Sequence, residues 1–245
     1  MVAPVPKTKA VELLLELSNV EIMHLVLNEF YANKYLAKIK KLLESNVDIA
    51  TLWVCKGFVY SLANQPKAMY DAFANAQKLG ATDAYSMMNQ STQYLLNGFI
   101  DEAIFALSLN KDPMSQNQIE RIAISTFAFS KIEKYDFIPE TKEKLSKIES
   151  RIKDVNIDIA QAETLLRVFF NLLQAQKIRF GLVRHSIIDE EYYLHFEAVT
   201  QLDVTQTVLK YFDEYIADHP ELYDVNSKIN VVLTPVSSIY HKFVA

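Results

Sequence analysis

Two histidines and a glutamate in the C-terminal third are the residues whose types and spacing come closest to an active site. His185 and His195 lie on either side of a predicted turn, and Glu197 follows two residues after His195. Two imidazoles beside a carboxylate can bind a divalent metal ion or transfer protons. One hypothesis is therefore a metal-dependent enzyme that uses these three side chains, although exposed strand histidines more often have no catalytic role.

Two short acidic runs lie in the same region. Asp189, Glu190 and Glu191 could ligate a cation, but ion-binding loops usually space their ligands and include glycine, so a solvated turn is the better interpretation. Asp213 and Glu214 are adjacent on a predicted helix and point in different directions, which argues against a paired-carboxylate site. The sequence predicts no metal ion and no cofactor at either place.

Sequence motifs for nucleotide binding, nucleophilic catalysis or zinc binding are absent from the chain. Four glycines in 245 residues argue against glycine-rich phosphate loops. Cys55 is the one cysteine, so no disulfide can form within the chain, and its apolar surroundings predict a small buried hydrophobe. These observations favour a protein without enzymatic activity.

Charge is distributed unevenly along the chain. Between Ser186 and Asp224, ten acidic residues stand against Lys210 alone, a net charge of −9 in a chain whose total is −5. A surface of that sign repels nucleic-acid phosphates and favours a basic protein partner. The predicted acidic surface comprises Asp189, Glu190, Glu191, Asp213, Glu214 and Asp218.

The N-terminal 30 residues predict a soluble protein. Residues 1–10 contain two prolines and two lysines without an apolar signal core, and they are expected to form a loose arm. The apolar stretch from Val11 to Phe30 contains four glutamates, which are costly within a bilayer, so an amphipathic helix pair is expected instead. We expect a bacterial, cytoplasmic protein with no membrane partner.

The hydrophobic period changes from helical to strand-like in the C-terminal third. An apolar helix over residues 158–176 has hydrophobic side chains on more than one face and is expected to be covered on two sides. Next come a strand over 178–182, a turn over 186–191, a strand over 192–198, a helix over 203–217 and a strand over 229–233. The order α-β-β-α-β predicts a small acidic α+β domain over residues 156–245, whose sheet edges are open to a partner.

The central part of the chain repeats with a period of 34 residues. The best-preserved unit places Trp53, Gly57 and Tyr60 on a first predicted helix and Met69, Phe73 and Ala76 on a second. A shift of 34 aligns Tyr60 with Tyr94, Met69 with Ala103, and Asn46 with Gly80. Turns between paired helices are expected at Tyr31–Lys34, Asn64–Lys67 and Asn97–Phe99.

This pattern resembles the tetratricopeptide repeat family over roughly residues 16–115. The resemblance implies a stack of antiparallel helical hairpins, in which a small residue on one helix admits an aromatic residue of the next. A degraded hairpin continues the stack, with a capping box at Ser115 and Gln118 and a charged helix from Thr141. We therefore expect a mostly α fold with a helical repeat domain over residues 11–155.

In that family the first helix of each unit lines a concave binding groove. The corresponding positions are Leu17, Val20, His24, Leu27, Thr51, Val54, Phe58, Ser61, Tyr85, Met88, Thr92 and Leu95. The basic and amide residues with which the family grips acidic tails are missing here, so an apolar peptide or helix is the expected guest. The alternative is that these side chains face a sealed helical core.

The sequence thus favours a non-catalytic adaptor or chaperone-like scaffold. Its helical repeats would bind an apolar partner segment, and its acidic C-terminal domain would bind a second, basic protein. An alternative is an immunity or antitoxin-like protein that masks a basic toxin surface, and the histidine-based enzyme is a third hypothesis. Whether the chain forms a homo-oligomer is left open.

Overall fold

The structure is a computed structural model that describes residues 8–22, 26–109 and 113–236. These residues form two compact units, the first up to Ser86 and the second from Met87 onwards. As the sequence predicts, the fold is mostly α, with helical hairpins followed by a small α+β module. Within the described ranges, no helix is long and apolar enough to cross a membrane.

The first unit consists of packed helices. They are α1 (Lys9–Ile22), α2 (Glu29–Leu43), α3 (Ile49–Leu62) and α4 (Pro66–Lys78), and α5 (Ala84–Leu96) begins at the end of this unit. Local signals set two of the boundaries. The Asn28 side chain accepts a hydrogen bond from the Tyr31 amide at 3.0 Å. Pro66 opens α4 in the first turn, where its missing N–H is not needed.

The close contact between α3 and α4 depends on Gly57. A β-carbon at this position would overlap the ring of Phe73, which is completely buried. The absence of a side chain on α3 therefore admits the aromatic ring of α4. This is the small-residue and aromatic pairing that the sequence predicts for the hairpin.

The 34-residue period recurs in the backbone conformation. Asn46 and Gly80 have positive φ angles of 52° and 93°, and Asn64 and Gly98, also 34 residues apart, have φ angles of 53° and 80°. The hydrogen bonds of the second pair also correspond, because the amide after Asn64 and the amide after Gly98 each donate at 2.9 Å to the carbonyl five residues earlier. Two successive hairpins therefore use the same left-handed turn between their helices.

The predicted turn at Tyr31–Lys34 is wrong, because these residues lie inside α2. The chain leaves helical conformation earlier, and Asn28, not Asn33, caps the helix. Helix α1 also begins at Lys9, within the predicted N-terminal arm and six residues before the position that a 34-residue shift of α3 requires. The regular period therefore covers the second and third hairpins but only the second helix of the first.

The second unit continues with helices of less regular length. They are α6 (Ile100–Ser108), α7 (Pro113–Thr126), α8 (Phe129–Ile132), α9 (Pro139–Asp154) and α10 (Ile159–Ala175). In the α5–α6 hairpin, Ser91 replaces the glycine of the preceding repeat, and its hydroxyl donates to the Ala103 carbonyl at 2.8 Å. The predicted capping box at Ser115 is wrong, because α7 begins at Pro113 and Ser115 lies inside its first turn. Helix α9 begins at Pro139, two residues before the predicted start at Thr141, because proline is favourable in the first turn.

The C-terminal module has the predicted order α-β-β-α-β. After α10 come β1 (Phe180–Ile188), β2 (Glu191–Ala198), α11 (Leu202–Ala217), a 3-10 turn (Pro220–Leu222), α12 (Tyr223–Asn226) and β3 (Ile229–Pro235). The strand order is β1-β2-β3, with β2 antiparallel to β1 and parallel to β3. The parallel pair is possible because α11 carries the chain back to the start of the sheet.

The hairpin between β1 and β2 is longer and tighter than predicted. Its turn consists of Asp189 and Glu190 alone, with φ angles of 50° and 68°. A two-residue turn with both residues in the left-handed region matches the twist of the flanking strands. The expected turn over 186–191 was too long because neither residue is the glycine or asparagine that normally marks this turn type.

Phenylalanines from α10, the strands and α11 form the core of the module. The ring centroids of Phe169 and Phe170 of α10 lie 5.0 Å and 5.6 Å from that of Phe196. The ring centroids of Phe170 and Phe180 are 5.7 Å apart. Phe169 also contacts Phe212 of α11 at 5.5 Å. Helix α10 is therefore covered by both the sheet and α11, as its wide apolar face predicts.

The predicted domain boundary at residue 155 lies inside the second compact unit. Helix α7 packs against α6, α9, α10 and β1, so helices before this residue share a unit with strands after it. The division of the chain into a repeat domain and an α+β domain at this residue stays a prediction.

Candidate protein-binding surfaces

The two histidines of the enzyme hypothesis lie on opposite faces of the β1–β2 hairpin. His195 pairs with Arg184, whereas His185 pairs with Leu194. Paired residues of an antiparallel ladder share a face and neighbouring residues alternate, so the two imidazoles point away from each other. A site that uses both histidines needs the two rings on one face, and the register of the hairpin does not provide this.

His195 and Glu197 interact with side chains of the neighbouring strands. The His195 ring nitrogen Nε2 lies 2.7 Å from the Thr234 hydroxyl of β3, and Glu197 forms an ion pair with Arg184 at 2.8 Å. Partial burial lowers the pKa of His185. Among the described residues, no group of three or more His, Cys, Asp or Glu side chains is arranged to hold a metal ion.

The predicted groove of the helical hairpins is only partly accessible. Six of its residues are completely buried or nearly so: Leu17, Leu27, Val54, Phe58, Ser61 and Leu95. Four are half-buried, namely Val20, Thr51, Met88 and Thr92, and Tyr85 is 36% exposed. His24 lies outside the described residues. The buried members belong to the helical core, which is the alternative that the sequence left open for this set.

Cys55 is also part of that core. Its side chain is completely buried and its sulfur lies 3.5 Å from the Ala10 carbonyl oxygen. Burial raises the pKa of the thiol well above its usual value, so the reactive thiolate is suppressed. The expectation of a small buried hydrophobe at this position is confirmed.

The outer face of the sheet carries a polar network that sequence reasoning missed. The hydroxyl of Tyr193 and the amide of Asn230 both donate to the Glu191 carboxylate, at 2.9 Å and 2.8 Å. The bond to Glu191 raises the pKa of Tyr193. Strand alternation could have placed Tyr193 on this face, but the link to Asn230 depends on the parallel pairing of β2 with β3, which the sequence does not indicate.

The acidic surface divides into residues that are exposed and one that is engaged. Asp189 and Glu190 form the exposed hairpin turn, whereas Glu191 is half-buried and bonded to Tyr193 and Asn230. Asp213, Glu214 and Asp218 are exposed on the outer side of α11, and Glu214 lies 3.7 Å from the Lys210 amine. The α11 carboxylates are therefore available to a partner.

Two tyrosines beside these carboxylates were not predicted as surface residues. Tyr211 of α11 is 45% exposed and Tyr223 of α12 is 51% exposed. Tyr223 is fixed in place because its hydroxyl donates to the Ala217 carbonyl at 2.8 Å. We call Tyr211, Asp213, Glu214, Asp218 and Tyr223 the acidic face; the helical position of Tyr211, one residue before the buried Phe212, is the signal that could have revealed its exposure.

Fold and surfaces together define a mostly α protein with packed helical hairpins and a small α+β module. No protein-family model, curated protein or solved structure matches the chain.

Proposed function

We propose that the chain is a non-catalytic protein-binding scaffold, and that its acidic face engages a basic surface of another protein. The observation that carries the proposal is the exposure of Asp213, Glu214 and Asp218 on α11, together with the exposure of Tyr211 on the same helix and Tyr223 on α12. Association between surfaces of opposite charge is accelerated by electrostatic steering and is sensitive to salt.

The position of these carboxylates on α11 supports a binding role. The C-terminal end of a helix carries a partial negative charge, which cations stabilise and anions destabilise. The last turn of α11 contains no basic residue, and Asp218 is its C-terminal cap residue. Negative charge at this end costs local stability, and a basic partner would neutralise it.

The exposed tyrosines supply the contact area that carboxylates lack. Tyrosine is enriched at protein interfaces because a rigid aromatic ring buries a large area at low entropic cost. Its ring face also attracts lysine and arginine side chains. A partner surface rich in these two cations therefore matches both residue types of the acidic face.

We extend the proposal to the helical hairpins, which would be a tetratricopeptide-like stack. The packing of Phe73 against Gly57 and the left-handed residues at Asn64 and Gly98 support this assignment. Within the first unit, a groove in such a stack would be formed by its accessible residues: Val20, Thr51 and Tyr85. The buried members of the predicted groove would then stabilise the hairpins and make no contact with a partner.

The test is capture of partner proteins from the native host by the purified chain and by the Asp213→Asn/Asp218→Asn variant. A basic partner should be captured at about 0.05 M salt and largely lost at about 0.3 M, because the Debye length shortens. The variant should capture much less of it even at low salt.

A matched control is Glu140→Gln/Glu143→Gln, which removes two exposed carboxylates of α9 and changes the net charge equally. It should capture the partner as the parent chain does. Equal losses in the two variants would show that net charge, and not the acidic face, governs capture. Capture that is indifferent to salt and to Asp213→Asn/Asp218→Asn would overturn the proposal.

A further inference from the structure

Two shallow pockets lie side by side along β1, within the second unit. The first has a volume of about 270 Å³ and includes His185, Ser186 and Ile187 of β1. The second has a volume of about 260 Å³ and includes Val183, Arg184 and His185 of β1 with the charged residues Glu120 and Arg121 of α7. Both contain His185 and Ile124 of α7 in their walls, so the two pockets adjoin.

The spacing of the pockets matches an extended chain. Their β1 residues are offset by two positions, which is the distance between side chains on the same side of a β-strand, about 6.8 Å. Each pocket is smaller than the roughly 300–1,000 Å³ of a typical small-molecule site. The pair is therefore suited to two alternate side chains of one extended peptide.

The backbone of β1 is available on one side for such a peptide. β1 is an edge strand, and within the described ranges β2 is the one strand that pairs with it. Residues 184 to 190 are all exposed. An edge strand presents unpaired N–H and C=O groups, to which an extended peptide can add as a further strand.

The walls of the first pocket indicate the chemistry of the guest. Ile148 and Ile152 of α9 and Ile187 of β1 are apolar, and Arg151 lies beside them. Arg151 is exposed, and its guanidinium forms no ion pair or hydrogen bond with another side chain in the part of the chain that the structure describes. Arg184 in the neighbouring pocket is already paired with Glu197. An unpaired guanidinium at an apolar pocket favours a carboxylate next to a hydrophobic group.

The pocket wall is held in place by the buried side chain of Tyr192. Its ring packs edge to face on Phe127 at 5.1 Å, and its hydroxyl lies 3.4 Å from the Ile124 carbonyl oxygen. The His185 ring lies 6.1 Å from the Tyr192 ring. A preformed wall reduces the entropic cost of ordering the site around a guest.

We propose that β1 binds an extended acidic–apolar peptide of a partner protein by strand addition, with an apolar side chain in the first pocket, an adjacent carboxylate on Arg151 and the next alternate side chain in the second pocket. This site takes a ligand opposite in charge to the partner of the acidic face and does not depend on it. The chain would thereby bind two partners of different chemistry at once.

The experiment uses the full chain and a phage-displayed library of random ten-residue peptides. Selection should enrich peptides that have an apolar residue with an aspartate or glutamate beside it. The affinity of an enriched peptide should fall about 10- to 100-fold in Arg151→Glu, as expected for the loss of a charge-assisted bond. Selection against Arg151→Glu itself should enrich lysine or arginine at the acidic position.

Lys153→Glu is the matched control, since it makes the same charge change on α9 outside both pockets. It should bind the enriched peptide as the parent chain does. If Arg151→Glu does not fold, Arg151→Gln replaces it, and a loss of about 10-fold is expected. Hydrogen exchange of the amides of residues 184–188 should slow when the peptide is added.

Each contrary result overturns a stated part of the proposal. If no peptide is enriched more strongly than in a selection against an unrelated protein, β1 does not bind peptides. Equal affinity for the parent chain and Arg151→Glu removes the carboxylate contact. Binding that leaves amide exchange of residues 184–188 unchanged removes strand addition. None of these results affects capture by the acidic face, so the two proposals fail separately.

Discussion

The residues of the sequence-predicted sites have opposite surroundings in the two compact units. In the first unit Leu17, Val54 and Phe58 are completely buried, so they hold the hairpins together. In the second unit Asp213 and Asp218 are exposed on α11. A repeat pattern reflects packing requirements that are the same in each hairpin, so many of its residues are buried. Charged side chains lie at the surface, because burial would remove their hydration. Charge composition is therefore the better guide to which of the predicted site residues are exposed in this chain.

Removal of the Phe73 ring should have the largest effect on stability. Phe73→Ala leaves a cavity against Gly57 and should lower the free energy of unfolding by about 3–5 kcal/mol. Urea unfolding followed by fluorescence reports this, because Trp53, the one tryptophan, lies in α3. Tyr70→Ala, an exposed position on the same helix, is the control and should change the value by less than about 1 kcal/mol. Similar losses in both variants would mean that the α3–α4 contact is not the core of this unit.

A methyl group at Gly57 should produce the next largest effect. Alanine normally stabilises a helix interior by about 0.5–1 kcal/mol relative to glycine. Here its β-carbon overlaps the Phe73 ring, so Gly57→Ala should instead destabilise by about 1–3 kcal/mol. The same fluorescence measurement checks the sign.

Coupling between the two positions identifies the cause of that loss. In a Phe73→Leu background the ring is gone, so Gly57→Ala should cost much less than it does alone. Strictly additive effects of Gly57→Ala and Phe73→Leu would show that the ring and the glycine do not interact.

Much of this fold can be predicted from the sequence, because local residue types determine it. Period-two alternation gives the strands of the module, and Asn64 and Gly98 mark equivalent turns because both tolerate positive φ. The turn at Tyr31–Lys34 was predicted wrongly, because the Asn28 side chain already caps α2 and these residues lie inside that helix. Local sequence also gives no sign of the short Asp189–Glu190 turn.

The candidate binding surfaces could be predicted only in part. The carboxylates of α11 follow from charge alone, but the exposure of Tyr211 and Tyr223 depends on which face of each helix the sheet covers. The separation of His185 from His195 depends on strand register, and a shift of one residue exchanges the faces of a strand. The pockets beside Arg151 require helices α7 and α9 to meet β1, a contact between segments more than 30 residues apart.

Substitution of Asp101 shows whether ion pairs between helices contribute to the stability of the second unit. Its carboxylate accepts hydrogen bonds from Lys131 at 2.7 Å and Arg167 at 2.9 Å, which connects α6, α8 and α10. Partial burial raises the pKa of Asp101, but the bonds from Arg167 and Lys131 outweigh it, so the pKa lies below its usual value. Because half of this side chain is exposed, Asp101→Asn should cost only about 1 kcal/mol.

The contribution of Asp101 to stability should depend on pH. A lowered pKa in the folded state means that the contribution of Asp101 is fully present above the usual pKa of about 3.9 and is lost as pH falls through the folded pKa. The stability difference between the parent chain and Asp101→Asn, measured by circular dichroism in urea, should be constant above about pH 5 and shrink in more acidic solution. A difference that grows on acidification would contradict the assigned bonds.

The smallest expected effect is a gain in stability at the β1–β2 turn. Asp189 and Glu190 both adopt left-handed conformations, which favour asparagine and glycine. Asp189→Asn/Glu190→Gly should therefore raise the free energy of unfolding by about 0.5–1 kcal/mol, since relief of strain exceeds the added chain entropy of glycine. Asp189→Ala/Glu190→Ala removes the same charges but keeps both β-carbons, so it should give no gain. If partner capture also survives the Asn–Gly replacement, the hairpin-turn carboxylates make no contact with the partner, and the partner contact belongs to α11 and α12.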